Sequence, residues 1–208
     1  FRIGSASTGV FYQTGGSVTV NVDRISMGYN SSFGRGVLYI AGGNLTAPVN
    51  GLNSVNRQGT RAEITVAGSG LFSLGGTVSL GETNIGENAF LNLNGGTLRA
   101  ANLFSPANAG VVNFNGGLFL AAAGTTTFLQ GLLAAHVRER GALIDTAGFS
   151  LVAASPLVAP PGQGITSISV NGATNFIGSP YVQISGGGGS IATAVAEINS
   201  RGTVTNIV

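Results

Sequence analysis

The chain has 208 residues, 43% hydrophobic and only 8% charged, with a formal net charge of +2, thirty-five glycines and no cysteine. Composition of this kind excludes a disulfide framework and thiolate chemistry. Its nine basic residues are scattered singly and build no phosphate-binding stripe, so no nucleic-acid partner is expected. No apolar run approaches the roughly 18 residues of a spanning helix, so no membrane insertion is expected either.

One short pattern recurs from residue 10 to residue 121. The copies are VFYQTGGSVTV from Val10, VLYIAGGNLTA from Val37, GLFSLGGTVSL from Gly70, FLNLNGGTLRA from Phe90 and VVNFNGGLFLA from Val111. An apolar residue precedes the first glycine by four positions (Phe11, Leu38, Leu71, Leu91, Val112). Another follows it by three (Val18, Leu45, Val78, Leu98, Phe119). Period-two alternation on both sides marks half-buried strands. Between them, Gly15-Gly16, Gly42-Gly43, Gly75-Gly76, Gly95-Gly96 and Gly116-Gly117 read as corners, where glycine allows positive φ and close backbone approach. The first glycines are 27, 33, 20 and 21 residues apart. Propeller blades need roughly 40 residues or more, whereas one coil of a β-solenoid fits in about 20. The expected fold is therefore all-β, a parallel β-helix over residues 1–161 followed by a small β module over residues 162–208.

In chain order, residues 1–9 (FRIGSASTG) read as a cap on the first coil or as an arm reaching a neighbouring molecule. Residues 29–36, 48–59 and 81–88 read as polar or turn-rich loops, and Ala62, Ile64 and Val66 as one face of a strand. From Thr125 the wording changes. Leu129, Leu132, Leu133 and His136 fall near helical spacing, which suggests a helical turn. Residues 142–146 and 149–152 read as strands around an Ala147-Gly148 turn. Pro156, Pro160 and Pro161 then mark the boundary, because proline has no amide hydrogen to extend a ladder. Beyond them ITSISV (165–170), YVQIS (181–185), IATAVAEI (191–198) and VTNIV (204–208) read as strands, the last with an edge to pair within its module or with a neighbour.

The segment from Asn113 to Val152 (NFNGGLFLAAAGTTTFLQGL through VRERGALIDTAGFSLV) resembles the autotransporter-associated β-strand repeat family in its NGG corner, its FLQGL step and its GALIDTAG segment. With the earlier corners, the resemblance covers about residues 9–158. Residues 164–208 resemble a further glycine-rich repeat of bacterial extracellular proteins. The resemblance implies a right-handed β-solenoid, secreted or displayed on the surface of a Gram-negative-type bacterium. It carries no shared catalytic residues and, with no membrane barrel in this chain, no support for autotransport.

Candidate chemistry is sparse. His136, the single histidine, lies beside Arg138 and Glu139 in LLAAHVRER without an evident nucleophile, and reads as structural. Asp23 and Asp145 are too far apart in sequence for a calcium cluster, and Asp145 reads as a turn-stabilising side chain. Neither a metal nor a cofactor is expected. Glu63, Glu82 and Glu87 are the nearest approach to the paired acids of a glycosidase. Gly186–Gly189 with Ser190 lacks the lysine of a phosphate loop. The sequons at Asn30 and Asn44 are short patterns, and Tyr12, Tyr29, Tyr39 and Tyr181 form no regular ladder.

The function expected from the sequence is that of a structural, non-catalytic, self-assembling subunit of an extracellular bacterial filament or surface appendage. It would polymerise head to tail by β-stacking of coils, by strand donation, or by both. Phe1, Arg2 and Ile3 at one end and Val204, Ile207 and Val208 at the other are the expected interface residues. The alternatives are an adhesin segment binding surface glycans through loops such as residues 48–59, and a polysaccharide lyase or hydrolase.

Overall fold

In a computed structural model the described residues are 1–21, 24–29, 33–48, 52–54, 61–81, 88–162, 165, 167–185 and 192–208. The chain forms two compact units, Phe1–Pro160 and Pro161–Val208.

The first unit is a parallel β-solenoid whose rungs each contribute one strand to three sheets. Rung one is β1 (Arg2–Ile3), β2 (Thr8–Gln13) and β3 (Ser17–Thr19); rung two is β4 (Ile25–Met27), β5 (Arg35–Ile40) and β6 (Asn44–Ala47). Rung three is β7 (Leu52–Ser54), β8 (Arg61–Ala67) and β9 (Leu71–Leu74); rung four is β10 (Thr77–Leu80), β11 (Asn88–Asn94) and β12 (Thr97–Ala100). Rung five is β13 (Asn102–Phe104), β14 (Gly110–Phe114) and β15 (Leu118–Ala121); rung six is β16 (Leu129–Gln130), β17 (Ala134–Val137) and β18 (Leu143–Asp145). A seventh rung is partial: Ala153 bridges Leu129, and β19 (Leu157–Val158) pairs with β17. Sheet A thus runs β1-β4-β7-β10-β13-β16, sheet B β2-β5-β8-β11-β14-β17-β19 and sheet C β3-β6-β9-β12-β15-β18, with about five turns between the first and sixth rungs.

Registered pairing stacks like on like. Sheet B points Phe11, Leu38, Ile64, Leu91, Val112, Ala135 and Leu157 inward in one column, and sheet C points Val18, Leu45, Phe72, Leu98, Phe119 and Ile144. In the middle rungs these side chains lose all solvent exposure. Each full burial of a residue of this size contributes about 1.5–3 kcal/mol relative to exposure, so the columns are the main support of the stack.

Sheet C shows the alternation expected of half-buried strands, as in Leu71–Leu74, Thr97–Ala100 and Leu118–Ala121. Sheet B departs from it. Strands β5, β8 and β14 are buried on both faces, because their outward positions carry Val37, Tyr39 and Val111 or hydrogen-bonded polar groups. Parallel strands covered on both faces characteristically lose the polar half of the alternation.

Four of the five glycine pairs lie between sheets B and C, namely Gly15-Gly16, Gly42-Gly43, Gly95-Gly96 and Gly116-Gly117. Gly75 and Gly76 lie instead between β9 and β10, where sheet C hands over to sheet A. The corner equivalent to the others in rung three is Gly68-Ser69-Gly70. The step of 33 residues therefore compares two different corners. In true register, Ser17, Asn44, Leu71, Thr97, Leu118 and Leu143 follow one another in one column.

The suggested helical turn near His136 is two strands, β16 and β17, joined by a corner at Gly131, whose φ is +65°. A strand–corner–strand sequence reproduces helical spacing because the corner inverts the parity of the apolar positions. After β18, the Ala147 amide donates to Asp145 Oδ1 at 2.8 Å, and Ala147 and Gly148 both adopt positive φ, which makes the tight turn expected there. Residues 149–152 form no strand.

In the second unit, β20 (Ala196–Ile198) pairs antiparallel with β21 (Val204–Ile207), and Tyr181 bridges Val195. Of the strands read from the sequence, the described residues of 165–170 pair with none of the other described residues, and 181–185 forms no extended strand beyond the bridge at Tyr181.

Candidate functional site

Two features of the solenoid concentrate unusual physical chemistry: its terminal rungs and the outer face of sheet B.

At the first rung, β1, β2 and β3 are each the outermost strand of their sheet. The Phe1 ammonium donates to the Arg24 carbonyl at 3.0 Å, and Ser26 N donates to the Phe1 carbonyl at 2.9 Å, which seats Phe1 above the buried Ile25. Its ring meets Phe11 edge to face, with centroids 5.5 Å apart, and is 41% exposed. Arg2 stacks its guanidinium 4.5 Å from the centre of the Tyr29 ring, and Ile3 pairs with Met27 and is buried. Residues 1–3 are thus part of rung one rather than a detached arm. Phe11 and Val18 close the inward columns only half-buried.

At the far rungs the same columns end on Leu157, 44% exposed, and Ile144, 38% exposed. Both stand at inward positions that are fully buried four rungs earlier. Backbone edges and unfinished apolar columns therefore coincide at both ends, the combination that templates further strands.

The expected interface residues near the C-terminal end belong to the second unit and are engaged within it. Val204 pairs with Ile198, Ile207 pairs with Ala196, and Val208 exchanges backbone hydrogen bonds of 2.7 and 2.9 Å with Val195. That strand edge is taken up inside its own unit, because a bulged hairpin with β20 satisfies it locally.

On the outer face of sheet B a polar row crosses four rungs. Asn92 Nδ2 donates to Thr65 Oγ1 at 3.3 Å, and Asn113 Nδ2 donates to Asn92 Oδ1 at 2.8 Å. Asn113 Oδ1 accepts from Arg138 Nε and Nη2 at 3.1 and 3.0 Å and lies 3.3 Å from His136 Nδ1. Tyr12 and Tyr39 extend the row by stacking, with centroids 4.9 Å apart. Thr65, Asn92, Asn113 and His136 are all buried, so each bond offsets the desolvation of its partners. Burial, aided by the Arg138 charge, holds His136 below its ordinary pKa of 6.5.

Beside this row Glu63 is buried and bonded to Arg61 Nε, while the Arg61 guanidinium lies 4.5 Å from the centre of the Phe90 ring. Burial pushes the Glu63 carboxyl above 4.5, against the opposing pull of Arg61 and Arg35. Among the described residues, Glu63 Oε2 has no hydrogen-bond partner. The row was not singled out from the sequence. Its signal is the vertical alignment of Thr65, Asn92, Asn113 and His136, which becomes visible only once rungs are in register.

Asp23, Glu82, Glu87, the sequon at Asn30, most of the loop 48–59, and Gly186–Gly189 with Ser190 lie outside the described residues. Among the described residues, no group of three or more histidine, aspartate or glutamate side chains could hold a metal ion. Among the described residues no helix is long and apolar enough to cross a membrane. The chain matches no protein-family model, and neither curated proteins nor solved structures show a significant similarity to it.

Proposed function

We propose that the chain is a structural, non-catalytic subunit that assembles with copies of itself into an extracellular bacterial filament or surface appendage. The observation that carries this reading is the coincidence, at both ends of one stack, of outermost strands with half-exposed inward residues: Phe1, Phe11 and Val18 at one end, Ile144 and Leu157 at the other. Stacking of one end on the other continues backbone ladders from copy to copy and buries apolar groups of both ends. The partner surfaces differ, so the contact is heterologous and repeats without closing, which generates a fibre. Weak charge favours this, since little electrostatic repulsion opposes close approach. The extracellular, bacterial part of the reading rests on the resemblance of residues 9–158 to autotransporter-associated repeats.

Electron microscopy and sedimentation of the purified chain test it. Linear particles that lengthen with concentration are expected, and Ile144→Asp or Leu157→Asp should shorten them by burdening the joint with a charge. Dispersed monomers at high concentration would rule the proposal out.

A further inference from the structure

Sheet C stops one rung short of its companions. Ala153 and β19 carry sheets A and B into a seventh rung, but nothing among the described residues pairs with the outer edge of β18. A seat for one strand is left there, floored by Leu143, 54% exposed, and Ile144. A whole rung from another molecule cannot land on it, because Ala153 and β19 already stand at that level. The seat admits a single strand.

Its occupant is legible from the strands that sheet C already holds. Ser17–Val20 reads SVTV, Asn44–Ala47 NLTA and Thr97–Ala100 TLRA, each placing apolar residues inward at the second and fourth positions. Ser167–Val170 reads SISV and repeats this pattern. It has the alternation of a strand, yet it pairs with none of the described residues, and Ile168 is 43% exposed. The other two candidates for donation, residues 1–3 and 204–208, are committed to β4 and to β20 with Val195.

The glycine corner that would lead the same chain into its own seat is missing from its sequence. Counted on from the register of His136 with Val158, Pro160-Pro161-Gly162 correspond in sequence to Asn115-Gly116-Gly117, the sheet B to sheet C corner two rungs earlier. Gly116 has a φ of +79°, and Gly95, at that position in the preceding rung, +102°. Pro161 stands there instead, with φ confined near −65°, and Pro160 before it is held extended. The two prolines thus replace a glycine corner, and the compact units divide between them.

We infer that Ser167–Val170 of one molecule adds as a parallel strand to β18 of a second copy, with Ile168 over Ile144, completing that copy's seventh rung. The inference rests on the self-assembly proposed above and names the segment that makes the joint. A completed rung also presents all three sheets at one level to whatever stacks beyond it.

The absence of cysteine makes the contact directly testable. Leu143→Cys and Ser167→Cys, prepared as separate proteins, are mixed and treated with a short bifunctional thiol reagent. A cross-linked dimer holding one of each is expected, while Thr97→Cys, two rungs in, gives none with Ser167→Cys. Ile168→Asp, which leaves the solenoid core untouched, should lower the association constant at least about tenfold, one buried apolar contact's worth. Particles that form equally well with Ile168→Asp, or a doubly substituted chain that links only within itself, would refute the strand exchange and leave assembly standing. Dispersed wild-type chains would sink both.

Discussion

Gly15 and Gly42 hold the same position in successive rungs, but a Cβ at Gly15 would meet nothing within 4 Å, whereas one at Gly42 would sit 2.4 Å from the Thr14 carbonyl oxygen. Neither has a positive φ, so the pair isolates the contact between rungs from backbone strain. Gly15→Ala should change stability by less than about 0.5 kcal/mol, and Gly42→Ala should cost about 1–3 kcal/mol through overpacking. Denaturant midpoints of the two variants check this. Glu63 and His136 give opposite pH signatures. A carboxyl that titrates above 4.5 when folded holds its proton more tightly in the native state, so its share of stability is complete below 4.5 and is lost as pH rises through the folded value. A histidine depressed below 6.5 contributes stability above 6.5 that is lost as pH falls through its folded value. Relative to wild type, Glu63→Gln should therefore gain stability as pH rises from 4.5, and His136→Asn as it falls from 6.5, in urea titrations across that range.

Among the elements, the middle strands of sheet B bear the largest share of the fold. Leu91 lies fully buried between Ile64 and Val112 in the inward column. Leu91→Ala should cost about 2–5 kcal/mol, because stacked neighbours held by ladder bonds collapse poorly into the cavity. Asn113 is the hub of the outer row, with bonds to Asn92 and Arg138. Asn113→Ala leaves buried partners unsatisfied and should cost about 1–3 kcal/mol; calorimetry of both variants is the measurement. Strand character was readable in the sequence wherever one face was polar, as in sheet C. Rung three was misaligned because it lacks a Gly-Gly pair at the sheet B to sheet C corner and has one at the next corner instead.

For the molecule as a whole, the proposed assembly through the open ends would draw its cohesion from apolar burial and backbone ladders. Raising salt from about 0.05 to about 0.5 M should leave assembly unchanged or strengthen it, since a charge-driven joint would be screened over that range. Light scattering across the titration decides this, and dissolution of the particles by salt would contradict an apolar joint. The partial seventh rung places the division between stack and second unit at Pro160 and Pro161, where the glycine corner is lost.

Period-two hydrophobicity, frequent glycine corners and scarce charge were enough to determine an all-β coil, because each is a local property of the backbone and its immediate solvent. Which glycines share a corner, which polar residues stack into the Thr65–Asn92–Asn113–His136 row, and which strand edges stay open were settled only in three dimensions. Those features depend on register between residues more than twenty positions apart, and register is set by the packing of one rung on the next rather than by any rung alone.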